Sequence, residues 1–293
     1  MKFGYLSFNH AEGIDPASLA KELEASGFES FWLPEHTHIP ASRATPFPVP
    51  GGELPAAYYR IMDPMVSLMA AAGATSTLQL CTGICLLLQH DVLDLAKTTA
   101  TLDVLSDGRL TLGVGVGWNE EELANHRPDL EFRQRYSAMR ERVAALRTAW
   151  SDEISSFEGT WDNFEPTHIY PKPVKGSIPI SLGNAGALGI RHAAEYADEW
   201  APIDAGMLNV DGRPNVPGAI ELFRQLATDA GRDPDTIPIT IHAGGFSEKR
   251  FESYRELGVE RLVLFPPKPS ILPADDTLRH VEQLAEFIDR FNS

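Results

Sequence analysis

Short apolar runs alternate with amphipathic stretches from one end of the chain to the other. Lys2 to Phe8 reads as a first strand, and Asp15 to Gly27 as a helix with Asp15 as N-cap, Pro16 as first helical residue and Gly27 as stop. Ser30 to Glu35 is a second strand, followed by a long Pro/Gly-rich loop over 39–61. Asp63-Pro64 opens a helix through Ala74, Leu78 to Leu88 is a third strand interrupted by Thr82-Gly83, and Asp91 to Leu105 is a helix. Leu110 to Val116 is the fourth strand, with a short helix over Glu120 to Asn125 and a long amphipathic one over Glu131 to Trp150. Residues 151–178 read as an insertion of turns and aromatics. Ile178 to Leu182, Glu199 to Ile203, Ile237 to His242 and Arg261 to Phe265 complete the strands. They alternate with helices ending at Ala197, over Pro217 to Ala230, over Glu248 to Leu257 and over Asp275 to Phe291. Strict strand–helix alternation implies parallel strands. Eight such units in 293 residues predict one (βα)8 TIM barrel with insertions after strand two and after the fourth helix. A doubly wound sheet is the alternative. No repeat or linker divides the chain, so one domain over 1–293 is expected.

The pattern is densest over Leu102 to Trp118, LDVLSDGRLTLGVGVGW. Ser106-Asp107-Gly108 carries turn chemistry. Gly113, Gly115 and Gly117 then recur at every second residue. Alternate residues share a face of a strand, so this face is bare backbone. Two readings follow: tight packing inside a barrel, or a flat surface for a planar ring at the C-terminal end of a strand, where barrels place their chemistry.

Charge narrows the partners. Lys plus Arg number 25 against 41 Asp plus Glu, a formal charge of −16. Such acidity argues against nucleic acid or an anionic membrane as partner. No apolar stretch is long enough to span a bilayer, and MKFGYLSFNH runs directly into a strand pattern rather than a signal peptide. Cys81 and Cys85 fall four residues apart in one predicted strand, about 13 Å at about 3.3 Å per residue. That is beyond disulfide reach, and they read as reduced core residues of a cytoplasmic protein.

Three constellations could carry chemistry. Glu35-His36-Thr37-His38 ends strand two, and histidine shuttles protons or binds metal. A metal reading lacks a third firm ligand; His242 and Asp204 are the spare ligand types, so no metal is expected. Gly183-Asn184-Ala185-Gly186 precedes a helix, whose free N–H groups suit a phosphate, with Arg191 or Lys172 as added charge. Its spacing is not the Rossmann fingerprint. Thr82-Gly83-Ile84 interrupts strand three, and a bulge explains it.

Taken together, WLPEHTHIP, DPMVSLMAAAGATSTLQLCTGICLL, AKTTATLDVLSDGRLTLGVGVGWNEEEL, RQRYSAMRERVAALRTAW with SSFEGTW, and PKPV with IPISLGNAG resemble the luciferase-like monooxygenase superfamily, particularly its deazaflavin branch. The resemblance covers nearly the whole chain and is firmest over the N-terminal two thirds. It implies a (βα)8 barrel with a flavin or the deazaflavin coenzyme F420 at the C-terminal mouth. It also implies a non-prolyl cis peptide at Gly83-Ile84 and a phosphate loop at Gly183, Asn184, Ala185 and Gly186. His36 maps to the active-site histidine. Trp118 stands where sugar-phosphate dehydrogenases of the family keep a catalytic Glu, so their reaction is not carried over.

The expected activity is hydride transfer between the deazaflavin and a small organic substrate. His36 would be the acid or base, oriented by His38 or Glu35, with Gly83, Ile84, Gly115, Gly117 and Trp118 around the ring. The 39–61 loop and the 151–178 insertion, a lid candidate, would shape an apolar pocket from among Phe47, Tyr58, Tyr59, Trp118, Trp161 and Phe164. The rivals are an FMN monooxygenase using O2 and a catalytically silent flavin-binding barrel. The resemblance further implies a homodimer through barrel helices.

Overall fold

The computed structural model describes residues 1–48, 52–207, 213–245, 247–266 and 271–292. Its parallel strands take the expected order. β1 (Lys2–Leu6) is followed by α1 (Pro16–Ala25), β2 (Ser30–Leu33) and α2 (Pro64–Ala74). Asp15 and Asp63 cap α1 and α2 by accepting from Ser18 N–H and Val66 N–H, each with Pro in the first turn. The third stave comes in two pieces, β3 (Gln79–Thr82) and β4 (Cys85–Leu86), ahead of α3 (Val92–Leu105). β5 (Leu110–Gly115) leads to α4 (Glu120–His126) and α5 (Arg135–Ser151). β6 (Ile154–Glu158) and β7 (Asn163–His168) follow, then β8 (Ile180–Leu182), α6 (Ala187–Tyr196), β9 (Glu199–Trp200) and α7 (Val216–Asp229). β10 (Thr240–Gly244), α8 (Glu248–Glu256), β11 (Arg261–Phe265) and α9 (Ala274–Asn292) close the chain.

The staves neighbour one another as β10-β11-β1-β2-β3-β5-β8-β9, with β4 also on β5. Parallel bridges Trp200–Ile239 and Ile203–His242 join the two ends. The result is a nearly closed eight-stave barrel. Leu80, Leu112, Ile180, Ile241 and Leu262 face outward into the core under the helices. Leu6, Trp32, Cys81, Ala201 and Val263 fill the interior. Trp32 reaches the axis because β1 carries Gly4 opposite Ser30, where a Cβ would come within 2.9 Å of the indole nitrogen. Both cysteines are free and buried.

Several boundaries differ from the pattern-based reading. The first two strands end at Leu6 and Leu33, so the apolar residues beyond them belong to loops over the mouth. Strand six shrinks to Glu199–Trp200 and strand seven begins at Thr240. The 151–178 insertion contains an antiparallel hairpin, β6–β7, whose mixed burial hides the period-2 signal. Its turn hangs on Glu141, whose carboxylate accepts from the Thr160, Trp161 and Asp162 N–H groups.

The third stave breaks at Gly83-Ile84, whose peptide bond is cis. This break accounts for the alternating glycines. A Cβ on Gly113 would run into the Thr82 carbonyl oxygen, and one on Gly115 into the Ile84 side chain. A Cβ on Gly183 of the next stave would lie 2.7 Å from Ile84 Cγ2. The bare face of β5 is therefore filled by the bulge from its neighbour. Of the two sequence readings, tight packing holds for Gly113 and Gly115. Gly117 has φ +73 and turns the chain out of β5 toward α4, a conformation that glycine adopts at little cost.

Candidate functional site

The C-terminal ends of β2, β4 and β5 bring together Glu35, His36 and the α4 entry. Asn119 caps α4 through its side chain, which fixes the first turn and aims Glu122 inward. His36 Nδ1 lies 2.8 Å from Glu122 Oε2, with the two side chains 6% and 1% exposed. A carboxylate oxygen can only accept, so Nδ1 carries the hydrogen, and in the neutral ring Nε2 is then the acceptor. Among the described residues Nε2 has no protein partner, and it is not one of the fully enclosed polar atoms.

Neither residue expected to orient His36 does so. Glu35 faces away, accepting from Leu86 N–H at 2.6 Å and pairing with His90 Nε2 at 2.8 Å. Burial pushes the Glu35 carboxyl up, but His90 outweighs it and holds the group below its usual range. Burial pulls His90 down, and the same pairing lifts it above the ordinary imidazole value. Both directions describe an imidazolium–carboxylate pair. Glu35, Cys85 and His90 also bring metal-ligand atoms within 4.8 Å of one another. Burial pushes the Cys85 thiol up, keeping it protonated, so this group reads as a clamp on β4. His38 is on the rim, with Thr37 Oγ1 2.9 Å from its Nδ1 and Asn125 Nδ2 2.8 Å from its Nε2. His36 and His38 thus have separate partners and do not form a shared ligand pair.

Glu122 is the residue the sequence reading missed. Its spacing from Asn119 fits a capping box, in which the third-position Glu turns back to the cap. Here the carboxylate goes to His36 instead. Phe47 and Tyr58, from the described parts of the 39–61 loop, reach the same spot. Centroid distances are 5.4 Å for His36–Tyr58, 5.9 Å for His36–Trp118, 5.2 Å for Phe47–Tyr58 and 5.5 Å for Phe47–Trp118. These contacts close a circuit of four rings. Glu121, beside Glu122 on α4, pins the loop by accepting from Ala44 N–H at 2.7 Å and Thr45 Oγ1 at 2.6 Å. The other candidate pocket aromatics lie elsewhere: Trp161 packs against the Leu88, Leu123, Leu130 and Ala138 cluster, Phe164 stacks on Phe157, and Tyr59 is exposed.

At the next mouth position, Gly183 to Ala185 are half-buried and Gly186 is exposed. Gly186 is the N-cap of α6 with no side-chain cap, so the first N–H groups of that helix have no capping acceptor. A Cβ at Gly186 would meet nothing within 4 Å. Asn184 Nδ2 donates to Tyr136 Oη at 3.1 Å, while its Oδ1 is enclosed without a partner. The Arg135 guanidinium lies 5.3 Å over the Tyr136 ring, and its Nε is enclosed and unpartnered. Of the cations expected here, Arg191 is exposed on α6 and Lys172 is out of reach. Lys172 Nζ donates to the Ala149 carbonyl at the far end of α5, about 20 Å along the helix from Tyr136 at about 1.5 Å per residue.

Comparison with known proteins agrees with this architecture. The family described as luciferase-like monooxygenase matches residues 1–260. The uncharacterized protein Rv0953c of Mycobacterium tuberculosis is 35% identical over 290 residues, covering 97% of this chain and 98% of that protein. The F420-dependent glucose-6-phosphate dehydrogenase of Kineococcus radiotolerans is 29% identical over 245 residues, covering 82% of this chain and 68% of its own. Among solved structures, monooxygenase RslO1 from Streptomyces bottropensis superposes with a TM-score of 0.75 at 20% identity, each chain covered in full (100%).

Proposed function

The chain belongs to the luciferase-like monooxygenase family, and on that premise we propose that it is an F420-dependent oxidoreductase acting on a small organic substrate. The observation that carries the proposal is the His36–Glu122 pair at the mouth, in a barrel whose α6 N-terminus has no side-chain cap. Relatives named as F420-dependent dehydrogenases support the choice of cofactor.

The residues present fit such a group. Gly183, Asn184, Ala185 and Gly186 would hold its phosphate through the free N–H groups of α6. Ile84, wedged against Gly115 and Gly183, offers an apolar surface at the mouth, and Gly117 and Trp118 lead away from it toward α4. When bound, the deazaflavin would supply or accept a hydride at its C5.

The protein's own part is proton handling and exclusion of water. His36 Nε2 takes the proton of a substrate hydroxyl, or returns it to a carbonyl oxygen in the opposite direction. Glu122 fixes the tautomer and stabilises the imidazolium while that proton is held. The four-ring circuit keeps bulk water from the pair.

The test is His36→Ala. The account expects cofactor affinity unchanged and turnover reduced by about 10²–10⁴, the usual worth of a positioned acid–base group. Full turnover in the variant would refute it, and lack of turnover in the parent protein would favour the silent barrel. An FMN monooxygenase would use the same phosphate loop, and cofactor preference separates the two.

A further inference from the structure

Resting on the oxidoreductase reading, we propose that Tyr58 is a second catalytic residue: its hydroxyl donates a hydrogen bond to the same substrate oxygen whose proton His36 exchanges. An alcohol oxygen has one hydrogen to give and lone pairs to fill, whereas a carbonyl oxygen has lone pairs alone. His36 Nε2 meets one of these needs in either direction. It accepts the hydroxyl hydrogen, or as N–H it donates to the carbonyl. One lone pair is left over, and it needs a donor most when charge builds on the oxygen. The His36 and Glu122 side chains are 6% and 1% exposed, so water is a poor source of that donor, and an oxygen left unmet there is costly.

Tyr58 stands where such a donor is needed. Its ring lies 5.4 Å from the His36 ring between centroids, tilted by 58°. It packs against the cluster that fills the barrel interior, which places it over the axis at the mouth. Phe8 and Phe47 hold it at centroid distances of 5.7 and 5.2 Å. The ring is therefore fixed by three others. Its hydroxyl nevertheless has no hydrogen-bond partner among the described residues, and it is not one of the fully enclosed polar atoms. A buried tyrosine hydroxyl ordinarily finds a partner. Burial pushes the Tyr58 phenol up to about 12, so the group keeps its hydrogen through the neutral range.

Two other donors border the same rings. Trp118, on the turn into α4, meets His36 at 5.9 Å and Phe47 at 5.5 Å. Arg43 lies over Trp118 and donates to the Thr45 carbonyl. Neither packs against the interior cluster, so Tyr58 is the donor over the axis. In the oxidising direction the hydroxyl proton moves to His36 Nε2, the hydride leaves carbon with its electron pair for the deazaflavin, and the oxygen becomes a carbonyl. Tyr58 keeps its own proton throughout.

The experiment uses 4-nitrophenol, whose hydroxyl proton His36 can take without turnover and whose phenolate absorbs visibly. Nitrobenzene, which lacks the hydroxyl, is the control, and both are titrated with and without F420. Bound 4-nitrophenol should ionise at a lower pH than the free probe, and His36→Ala should leave it neutral. Tyr58→Phe keeps the ring, so its urea midpoint and nitrobenzene affinity should match the parent's. Its phenolate affinity should fall about ten- to a hundredfold, the usual worth of a hydrogen bond to a charged acceptor. An unchanged phenolate affinity would overturn the proposal, as would a parent protein that does not ionise the probe. A loss shared equally with nitrobenzene would make Tyr58 a packing residue, and a loss in Trp118→Phe instead would assign the donor to the indole; either overturns it. Ionisation of the probe on a protein that binds no F420 would sink the oxidoreductase reading and leave the paired donors standing.

Discussion

Alanine at Gly113 is expected to destabilise the barrel by about 3 kcal/mol, the top of the usual range for overpacking a core. The added Cβ falls on the Thr82 carbonyl oxygen and 3.1 Å from its carbon. That carbonyl is backbone, and the same residue is tied back to β5 by Thr82 Oγ1 donating to the Gly113 carbonyl at 2.7 Å. Neither strand can yield without breaking the stave. Alanine at Gly115 is a softer case, because its Cβ meets the far end of Ile84, with Cγ1 at 3.1 Å. A side-chain tip can move, so about 1–2 kcal/mol is expected. Ile84→Val removes the Cδ1 atom at the centre of that clash, at a cost of about 0.5–1.5 kcal/mol by itself. The double variant Gly115→Ala/Ile84→Val should then be more stable than the sum of the two, with a coupling of about 1 kcal/mol. Equilibrium urea unfolding of the four proteins reads each term. Gly113→Ala within about 0.5 kcal/mol of the parent, or two strictly additive changes at 84 and 115, would refute the packing argument. The glycine face would then be free for a ring after all.

Three further outcomes follow from the same geometry. His242, enclosed between the Ala201 carbonyl and Trp32, is pulled by burial from 6.5 to about 4. The fold therefore favours its neutral form: the contribution is whole above pH 6.5 and is lost as pH falls toward 4, about 3 kcal/mol in all. Urea midpoints of the parent should drop over that window more steeply than those of His242→Leu; equal slopes would contradict the assignment. Glu122→Gln keeps an acceptor near His36 but not the charge, so turnover should fall about 10–100-fold with cofactor affinity unchanged. Glu121→Ala frees the Ala44 and Thr45 N–H groups, and limited proteolysis should cut the 39–48 segment faster than in the parent.

Much of the barrel was legible in the sequence because helix caps and stops are local. Asp15-Pro16, Asp63-Pro64 and Asp91 announce α1, α2 and α3 by chemistry contained within four residues. The bulge at Gly83-Ile84 was also marked by its own residues. What the glycines of β5 face was not legible, since that depends on how the neighbouring stave passes in front of them. The same limit hid the partner of His36. Glu35 and His38 are its neighbours along the chain, but the turn that follows β2 sends their side chains to other partners, His90 and Asn125. Glu122, 86 residues later, reaches it across the mouth. Nothing in the Asn119–Glu122 spacing distinguishes a capping glutamate from one that turns inward. The partner of the phosphate loop followed the same rule: Tyr136 reaches Asn184 through its hydroxyl from 48 residues earlier, whereas Lys172, nearer in sequence, is held at the other end of α5.

The most direct measurement is cofactor binding to the purified protein by fluorescence titration, F420 against FMN, in moderate salt, repeated on Gly186→Asp. The account predicts tight F420, weak FMN, and loss of F420 binding when a carboxylate is placed at the open N-terminus of α6. The reverse preference would contradict the deazaflavin assignment and make the protein an oxygen-using monooxygenase. Binding of neither would remove the phosphate loop and the ring surface together.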